Sequence, residues 1–160
     1  MILRSTLENK IGYNTLEYNK IYENYENKTI AALYKDFDVF LCHSSRDIKE
    51  IIQIKAYLKK FYNQEAYVAE VDDPQLNPAK ANKATAEVLK KRMENSYKLY
   101  FVLSKYSQHS TWMPWELGYF NGIKKDNNKI KVLPIIDSYD SEVNQFEGHE
   151  YLELYDKITI

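Results

Sequence analysis

Short apolar runs that alternate with amphipathic helical segments are the feature that most constrains the fold of this chain. The predicted strands, rich in β-branched and aromatic residues, are FDVFLC, AYVAEV, KLYFVLS and IKVLPII. The segments with apolar residues at helical spacing are SRDIKEIIQIKAYLKKFY, ATAEVLKKRMENS and WELGYFNGIKK. Strands that alternate with helices favour a parallel sheet with right-handed crossovers. The sequence therefore predicts an α/β fold, a doubly wound parallel sheet with helices on both faces.

The two ends of the chain follow a different pattern. Residues 1–34 are rich in Asn, Glu, Lys and Tyr, and their apolar side chains fall on a helical stripe that a capping box of Ser5 and Glu8 would begin. We therefore expect a helical extension over residues 1–34 and one globular domain over residues 35–160. Near the C-terminus, EYLELY fits either a last edge strand or a helical turn.

Composition excludes several classes of partner and compartment. The chain has 160 residues, with 22 Lys and Arg against 23 Asp and Glu, so its net charge of −1 gives no reason to expect nucleic acid or an acidic membrane. No apolar stretch approaches the ~18 residues of a membrane span. Cys42 is the only cysteine, which excludes an internal disulfide and fits a reducing compartment. We expect a cytoplasmic protein.

Common metal and phosphate motifs are absent from the sequence. The three histidines, His43, His109 and His149, stand in separate predicted loops without the spacing of metal ligands. The chain has no G-x-G-x-x-G or Walker sequence and only four glycines. We therefore expect no metal site and no glycine-rich phosphate loop. Cys42 reads as a small core residue, because its neighbour His43 points to the opposite face of the strand.

Topology indicates where a ligand would bind. In an open parallel sheet, ligands bind beyond the carboxyl ends of the strands, near the point where the strand order reverses. The loops that leave those ends are CHSSRD, DDPQLNP, SKYSQHSTW and DSYD.

The segment HSTWMPWEL holds both tryptophans of the chain and one carboxylate. With Pro114 near the first helical position, Glu116 is expected in the first helical turn, where the helix dipole favours an ionised carboxylate. The aromatic residues could fill the core, but Trp112 follows a polar loop at the ligand-binding end, which favours a ligand contact. On the same helix, Gly118 and Gly122 fit either tight packing on the sheet or a contact between subunits.

In this order, the runs DVFLCHSSRD, AYVAEVDDP, KLYFVLSKYSQHSTWMPWEL and KVLPII resemble the Toll/interleukin-1 receptor (TIR) domain, particularly its stand-alone prokaryotic members. The most specific element is W-x-x-x-E, from Trp112 to Glu116. The resemblance implies a flavodoxin-like sheet of about five strands. It also implies an NAD⁺ nucleosidase that cleaves the nicotinamide–ribose bond, with NAD⁺ as substrate and no cofactor.

The resemblance assigns roles to individual residues. Glu116 matches the catalytic glutamate and Trp112 matches the tryptophan that stacks on the substrate. The first loop is expected to flank the nicotinamide ribose and phosphates, and the loop of residues 72–78 is the family's assembly loop, which helps to complete the active site. The expected substrate-binding residues, besides Trp112, are His43, Ser44, Ser45, Arg46, Asp47, Asp72 and Asp73.

The resemblance also implies partners and leaves alternatives. We expect a homo-oligomer formed through TIR–TIR contacts, and a role in anti-phage signalling or NAD⁺ depletion, with a downstream effector that responds to the nucleotide product. A helix after the last strand is missing or short in this sequence, so the N-terminal extension is expected to cover the bare surface or to mediate self-association. The alternatives are a non-catalytic TIR scaffold and an enzyme like the nucleoside deoxyribosyltransferases.

Overall fold

A computed structural model describes residues 1–3, 6–7, 34–76, 82–136 and 149–160 of the chain. The strands are β1 (Ile2–Leu3), β2 (Phe37–Cys42), β3 (Ala66–Tyr67), β4 (Ser96–Leu103), β5 (Ile130–Ile136) and β6 (Asp156–Lys157). The α-helices are α1 (Ile48–Tyr62), α2 (Ala69–Asp72), α3 (Lys83–Glu94) and α4 (Trp112–Lys124). Short 3-10 helices cover Ser45–Asp47, Ser107–His109, Asn127–Lys129 and Glu150–Leu154.

Every strand pairing among the described residues is parallel, as the alternation of strands and helices predicted. The strand order is β1-β5-β4-β2-β3, and β6 also pairs with β5. From β2 the chain first crosses to β3 on one side and then to β4 on the other. The strand order therefore reverses between β2 and β4, and the loops after these two strands separate above the sheet at this point.

The core lies on both faces of the sheet, because successive strand residues point to opposite sides. In β4, Leu99 and Phe101 belong to one buried cluster, and Tyr100 and Val102 belong to the other. Helices α3 and α4 contribute to the first cluster, and α1 contributes to the second. The prediction of helices on both faces is confirmed.

The outer edge of β5 is shared by the two ends of the chain. Ile2 of β1 pairs with Ile135 of β5, and Asp156 of β6 pairs with Lys131 of β5. The ammonium group of Met1 donates hydrogen bonds to the carbonyl of Ile158 and, at 3.0 Å, to Oγ1 of Thr159. The last segment expected from EYLELY thus consists of a 3-10 turn followed by a short parallel strand.

The N-terminal residues differ from the expected helical extension. Among the described residues of this segment, 2–3 form a strand and 6–7 are α-helical. Ile2 and Leu7 are buried in the cluster that α1 covers, so this part packs on the sheet. Pairing with β5 satisfies the backbone at a sheet edge, which the local helical pattern could not reveal. The capping box of Ser5 and Glu8, and residues 8–33, lie outside the described residues.

The second predicted strand, AYVAEV, is shorter than expected. Only Ala66–Tyr67 pairs with β2, and the chain then turns into α2. The turn is fixed by Asp72, whose Oδ2 accepts the Val68 N–H at 2.8 Å while its own N–H donates to the Val68 carbonyl at 2.7 Å. This early turn brings Glu70 of α2 above the end of the sheet, where it lines the cavity described next.

Candidate active site

A cavity of about 360 Å³ lies beyond the carboxyl ends of β2 and β4, where the strand order reverses. Three of the four loops expected there contribute to it, and the fourth, DSYD, lies outside the described residues. The lining residues are Phe40, Leu41, His43, Ser44, Ser45, Arg46, Ala69, Glu70, Leu76, Thr85, Leu89, His109, Ser110, Thr111, Trp112 and Glu116. A cavity therefore lies where the sequence predicts a ligand site.

Helix α4 places Trp112 and Glu116 together in this cavity. The helix begins at Trp112, where Ser110 Oγ accepts the Met113 N–H at 3.4 Å. Residues four positions apart lie on the same face of a helix, so both side chains point into the cavity. The expectation that Glu116 lies in the first helical turn is wrong, because the helix begins two residues before Pro114 and Glu116 is its fifth residue. A proline is tolerated at the third position because the first-turn N–H groups have no partner within the helix.

Glu116 is buried, with 7 % of its surface exposed. Burial raises the pKa of this carboxyl to about 7. A hydrogen bond with the Cys42 thiol and the charge of His43 act in the opposite direction, but they offset the effect of burial only in part. With a pKa of about 7, Glu116 differs from the ordinary carboxylate that the sequence led us to expect. Glu116 lies beyond the first helical turn, so loss of hydration outweighs the helix dipole.

Cys42 is fully buried, as predicted for a core residue, and its Sγ lies 3.6 Å from the Met113 carbonyl. The thiol therefore packs β2 against the first turn of α4. Burial and the neighbouring Glu116 raise its pKa well above the usual range. A thiol that stays protonated here can donate to Glu116 but cannot act as a nucleophile.

The cavity holds a second carboxylate, Glu70, which the sequence analysis did not identify. Nε2 of His43 lies 2.9 Å from Oε2 of Glu70, and Nδ1 of His43 lies 2.7 Å from the Leu41 carbonyl. Ser45 Oγ donates to the other carboxylate oxygen of Glu70 at 2.8 Å. Glu70 was missed because it stood inside a predicted strand; its position in AYVAEV, where an acidic residue breaks an apolar run, was the available signal.

The pair formed by His43 and Glu70 is charged. Burial alone would lower the pKa of His43, but the adjacent Glu70 carboxylate raises it to about 9. Burial alone would raise the pKa of Glu70, but His43 and the Ser45 hydroxyl lower it to about 2. The cavity wall therefore holds an ion pair at neutral pH.

Comparisons with known proteins identify the family. The TIR domain family profile matches residues 36–157. The chain belongs to the TIR domain family. It is also 41 % identical, over 149 residues, to a protein of Bacillus cereus strain MSX-D12 named "Probable 3′ cyclic ADP-D-ribose synthase ThsB′". That match covers 92 % of this chain and 69 % of the relative.

Six of the nine predicted site residues of this TIR domain line the cavity: Glu116, Trp112, His43, Ser44, Ser45 and Arg46. Ser44 also caps the 3-10 helix after β2, because its hydroxyl accepts the Arg46 N–H at 3.4 Å. The guanidinium of Arg46 lies 5.8 Å from the ring centroid of Tyr106, which orients it at the cavity rim.

The other three predicted residues, Asp47, Asp72 and Asp73, do not line the cavity. Asp47 is fully buried and accepts a hydrogen bond from Ser104 Oγ, which ties the loop after β2 to the loop after β4. The TIR domain thus uses this aspartate to hold the two loops that diverge at the reversal of strand order.

Asp72 and Asp73 form ion pairs inside the TIR domain. Asp72 pairs with Lys55 of α1 at 2.7 Å. Asp73 accepts two hydrogen bonds from the Arg92 guanidinium, at 2.7 and 2.8 Å, and one from the Tyr67 hydroxyl at 3.0 Å. These partners come from α1, β3 and α3, so the expected substrate contacts are replaced by contacts that hold α2 and the following loop in place. Buried charges need such partners, and a sequence does not display them.

Among the described residues of the TIR domain, no three histidine, cysteine or acidic side chains are grouped so that they could hold a metal ion. In the same part of the chain, none of the helices has the length and apolar character needed to cross a membrane.

Proposed function

We propose that this TIR domain cleaves the bond between nicotinamide and ribose in NAD⁺, with Glu116 as the catalytic residue. The observation that carries the proposal is a buried glutamate whose side chain lines a cavity together with a tryptophan one helical turn away. The name of the Bacillus cereus relative, a probable cyclic ADP-ribose synthase, supports this reaction class.

A single carboxylate fits this chemistry. Hydrolysis of an O-glycoside generally requires a second carboxyl group that protonates the leaving oxygen. Nicotinamide is cationic in NAD⁺ and leaves as a neutral base, so its departure needs no acid. The remaining requirement is stabilisation of an oxocarbenium-like ribosyl cation. An ionised Glu116 in a cavity of low dielectric meets that requirement electrostatically, and it can also accept hydrogen bonds from ribose hydroxyls.

The acceptor decides the product. When a hydroxyl of the same dinucleotide attacks the ribosyl carbon, a new C–O bond forms, the bond to nicotinamide breaks, one proton is released and the product is a cyclic ADP-ribose. When water attacks, the same balance gives ADP-ribose. We propose cyclisation as the main outcome, on the basis of the relative's name. Mass spectrometry of the products distinguishes the two outcomes.

Trp112 is proposed to stack on the substrate. Its ring is half-buried at the cavity and meets the ring of Trp115 edge-on, with centroids 5.3 Å apart. Trp115 stacks in turn on Tyr119, with centroids 5.8 Å apart. These ring contacts hold the Trp112 side chain in place, so that it offers the substrate a fixed surface for stacking.

The test is NAD⁺ consumption by the wild type and by Glu116→Gln, which keeps size and hydrogen-bonding capacity but removes the charge. Electrostatic stabilisation of this kind contributes ~3 to 4 kcal/mol, so the rate should fall by about 100-fold or more. The matched control is Glu65→Gln at the amino end of β3, where Glu65 forms an exposed ion pair with Lys59 at 2.6 Å. Equal rates for the wild type and a folded Glu116→Gln variant would remove Glu116 from the mechanism.

We also propose that the domain self-associates, in the cytoplasm, as part of an anti-phage response in which an effector detects the nucleotide product. Gly118 and Gly122 are exposed on α4, and a Cβ added at either would meet no atom within 4 Å. Tight packing of these glycines on the sheet is therefore excluded, and a contact between subunits is the interpretation that we retain.

Two other functions make different predictions. A non-catalytic scaffold would self-associate without consuming NAD⁺ at any concentration. An enzyme like the nucleoside deoxyribosyltransferases would exchange bases when supplied with deoxynucleosides and free bases. Wild-type protein assayed with each substrate, both dilute and concentrated, separates the three functions.

A further inference from the structure

His43 is placed so that only its doubly protonated form satisfies both ring nitrogens. Nδ1 lies 2.7 Å from the Leu41 carbonyl, and Nε2 lies 2.9 Å from Oε2 of Glu70. A carbonyl and an ionised carboxylate accept hydrogen bonds and donate none. In a neutral ring, one nitrogen would turn a lone pair toward an oxygen lone pair. The geometry therefore describes an imidazolium clamped between two acceptors.

Glu70 is held in turn by a second donor. Ser45 Oγ donates to Oε1 at 2.8 Å, which leaves Oε2 directed at His43. The side chain of His43 is 5 % exposed and that of Glu70 is 17 % exposed, so water screens the pair weakly. A buried imidazolium requires such a counter-charge, because burial by itself lowers the pKa of His43.

The imidazolium faces the same cavity as Glu116. The titratable groups that act on Glu116 are Cys42 of β2, His43 directly after β2, and Glu70 of α2. Arg46 and His109 line the same cavity. Burial and Glu70 both favour the protonated form of Glu116, whereas the charge of His43 and the Cys42 thiol favour the ionised form. Among the cavity groups that act on Glu116, His43 is the fixed positive charge.

We propose that His43, kept as an imidazolium by Glu70, supplies the positive charge that ionises Glu116, so that Glu70 and Ser45 are positioning residues that act on Glu116 through His43. The proposal rests on the proposed function, in which an ionised Glu116 stabilises the ribosyl cation. It assigns to Glu70 and His43 the control of that charge, instead of a direct contact with the reacting carbon.

The first test measures protonation directly and needs no activity. NMR titration of the three histidine rings, with His43 assigned by its loss in His43→Gln, should show His43 charged at pH 7.5 in the wild type and neutral at that pH in Glu70→Gln. A neutral His43 in the wild type would overturn the proposal. A His43 that stays charged in Glu70→Gln would overturn the role of Glu70.

The second test is an NMR titration of Glu116 that follows the signal of its side-chain carboxyl carbon. This signal is assigned by its loss in Glu116→Gln. In His43→Gln the midpoint of this titration should move to higher pH by about one unit, since a nearby opposite charge shifts a pKa by about that much or more. An unchanged midpoint in folded His43→Gln would overturn the proposal. Glu65→Gln, which breaks exposed ion pairs with Lys59 and Lys35, is the control and should leave the midpoint in place.

The third test uses the reaction. If the wild type consumes NAD⁺, kcat/KM should decrease as the pH is lowered, with a midpoint near that of the Glu116 titration. In His43→Gln this acidic limb of the pH profile should move to higher pH by the same amount as the NMR midpoint. A purely structural role for His43 would lower the rate at every pH without moving the limb. If the wild type consumes no NAD⁺, the proposed function fails, while the two titrations still decide whether His43 controls Glu116.

Discussion

At the residue scale, the burial of Glu116 in the cavity disfavours the charged form of its side chain. The side chain is 7 % exposed, and its pKa is raised to about 7, so the folded protein holds this proton more tightly than the unfolded chain does. The proposed reaction requires an ionised Glu116, yet this carboxyl is held where ionisation opposes folding. Such costs are typical of active sites, where function requires an arrangement that stability disfavours.

The stability of the wild type should therefore depend on pH through Glu116. Because the folded pKa of about 7 lies above the ordinary value of 4.5, its contribution to stability is fully present below pH 4.5 and is lost as pH rises through 7. The full loss corresponds to about 3 kcal/mol. Glu116→Gln lacks this dependence, so its Tm relative to wild type should rise between pH 5 and pH 8. Thermal denaturation at both pH values measures the difference, and a constant difference would contradict the raised pKa.

The ion pair of Asp73 and Arg92 gives a second prediction at this scale. Both side chains are almost fully buried, at 3 % and 2 % exposure, so Asp73→Asn removes the carboxylate that pairs with a buried guanidinium. Breaking such a pair costs ~3 to 5 kcal/mol, and Tm should fall by several degrees. Because Asp73 does not line the cavity, KM for NAD⁺ should stay close to wild type below the melting range. A large rise in KM with an unchanged Tm would restore Asp73 as a substrate-binding residue.

At the scale of elements, two helices furnish the cavity with carboxylates. Helix α4 presents Trp112 and Glu116 one turn apart, and the four-residue helix α2 presents Glu70. The first turn of α4 packs against Cys42 at the end of β2. The cavity depends on the contact between this helix and the central strand, so changes along α4 should separate into effects on substrate and effects on packing.

Trp112 and Trp115 test this separation. Trp112→Ala should reduce NAD⁺ turnover with a small change in Tm, because the ring lines the cavity and is half-buried. Both half-buried rings pack against the same core cluster, but Trp115 does not line the cavity and its ring contacts those of both Trp112 and Tyr119. Trp115→Ala should therefore lower Tm more than Trp112→Ala does, by less than the ~3 to 5 kcal/mol expected for a fully buried tryptophan. Equal destabilisation with equal loss of turnover would contradict the division of roles.

At the scale of the whole molecule, the chain ends pair with one edge of the sheet, and helix α4 exposes a face that carries two glycines. The ends pair with β5, whereas the glycines of α4 face solvent. Glycine costs a helix up to about 1 kcal/mol relative to alanine, so two exposed glycines suggest that a close approach by another subunit compensates for them.

Turnover per subunit should rise with protein concentration if the domain is active only when assembled. Gly118→Ala should leave this dependence in place, whereas Gly118→Arg should abolish it, because the position is open to solvent and the long side chain blocks only an approaching subunit. The measurements are NAD⁺ consumption and light scattering over one dilution series. Constant specific activity while the oligomer dissociates would exclude a shared active site.

The sequence by itself determined the alternation of β2, β3, β4 and β5 with α1, α3 and α4, and the three loops that meet at the cavity. FDVFLC, KLYFVLS and IKVLPII are buried runs whose length and composition fit strands, and local periodicity distinguishes them from the helices. Because the carboxyl ends of parallel strands meet at one edge, Glu116 and Trp112 could also be placed at that edge from the sequence. Their catalytic and stacking roles stay predictions that the proposed experiments test.

Only the tertiary structure decided which charged side chains face the cavity and in what form. Asp47, Asp72 and Asp73 turn toward partners on other elements, and Glu70 approaches His43 across 27 positions of sequence. The pKa of Glu116 follows from burial against β2, not from its place in the helix. The protonation state of a carboxyl depends on its burial and on nearby charges. Both are set by neighbours in space that the local sequence does not specify.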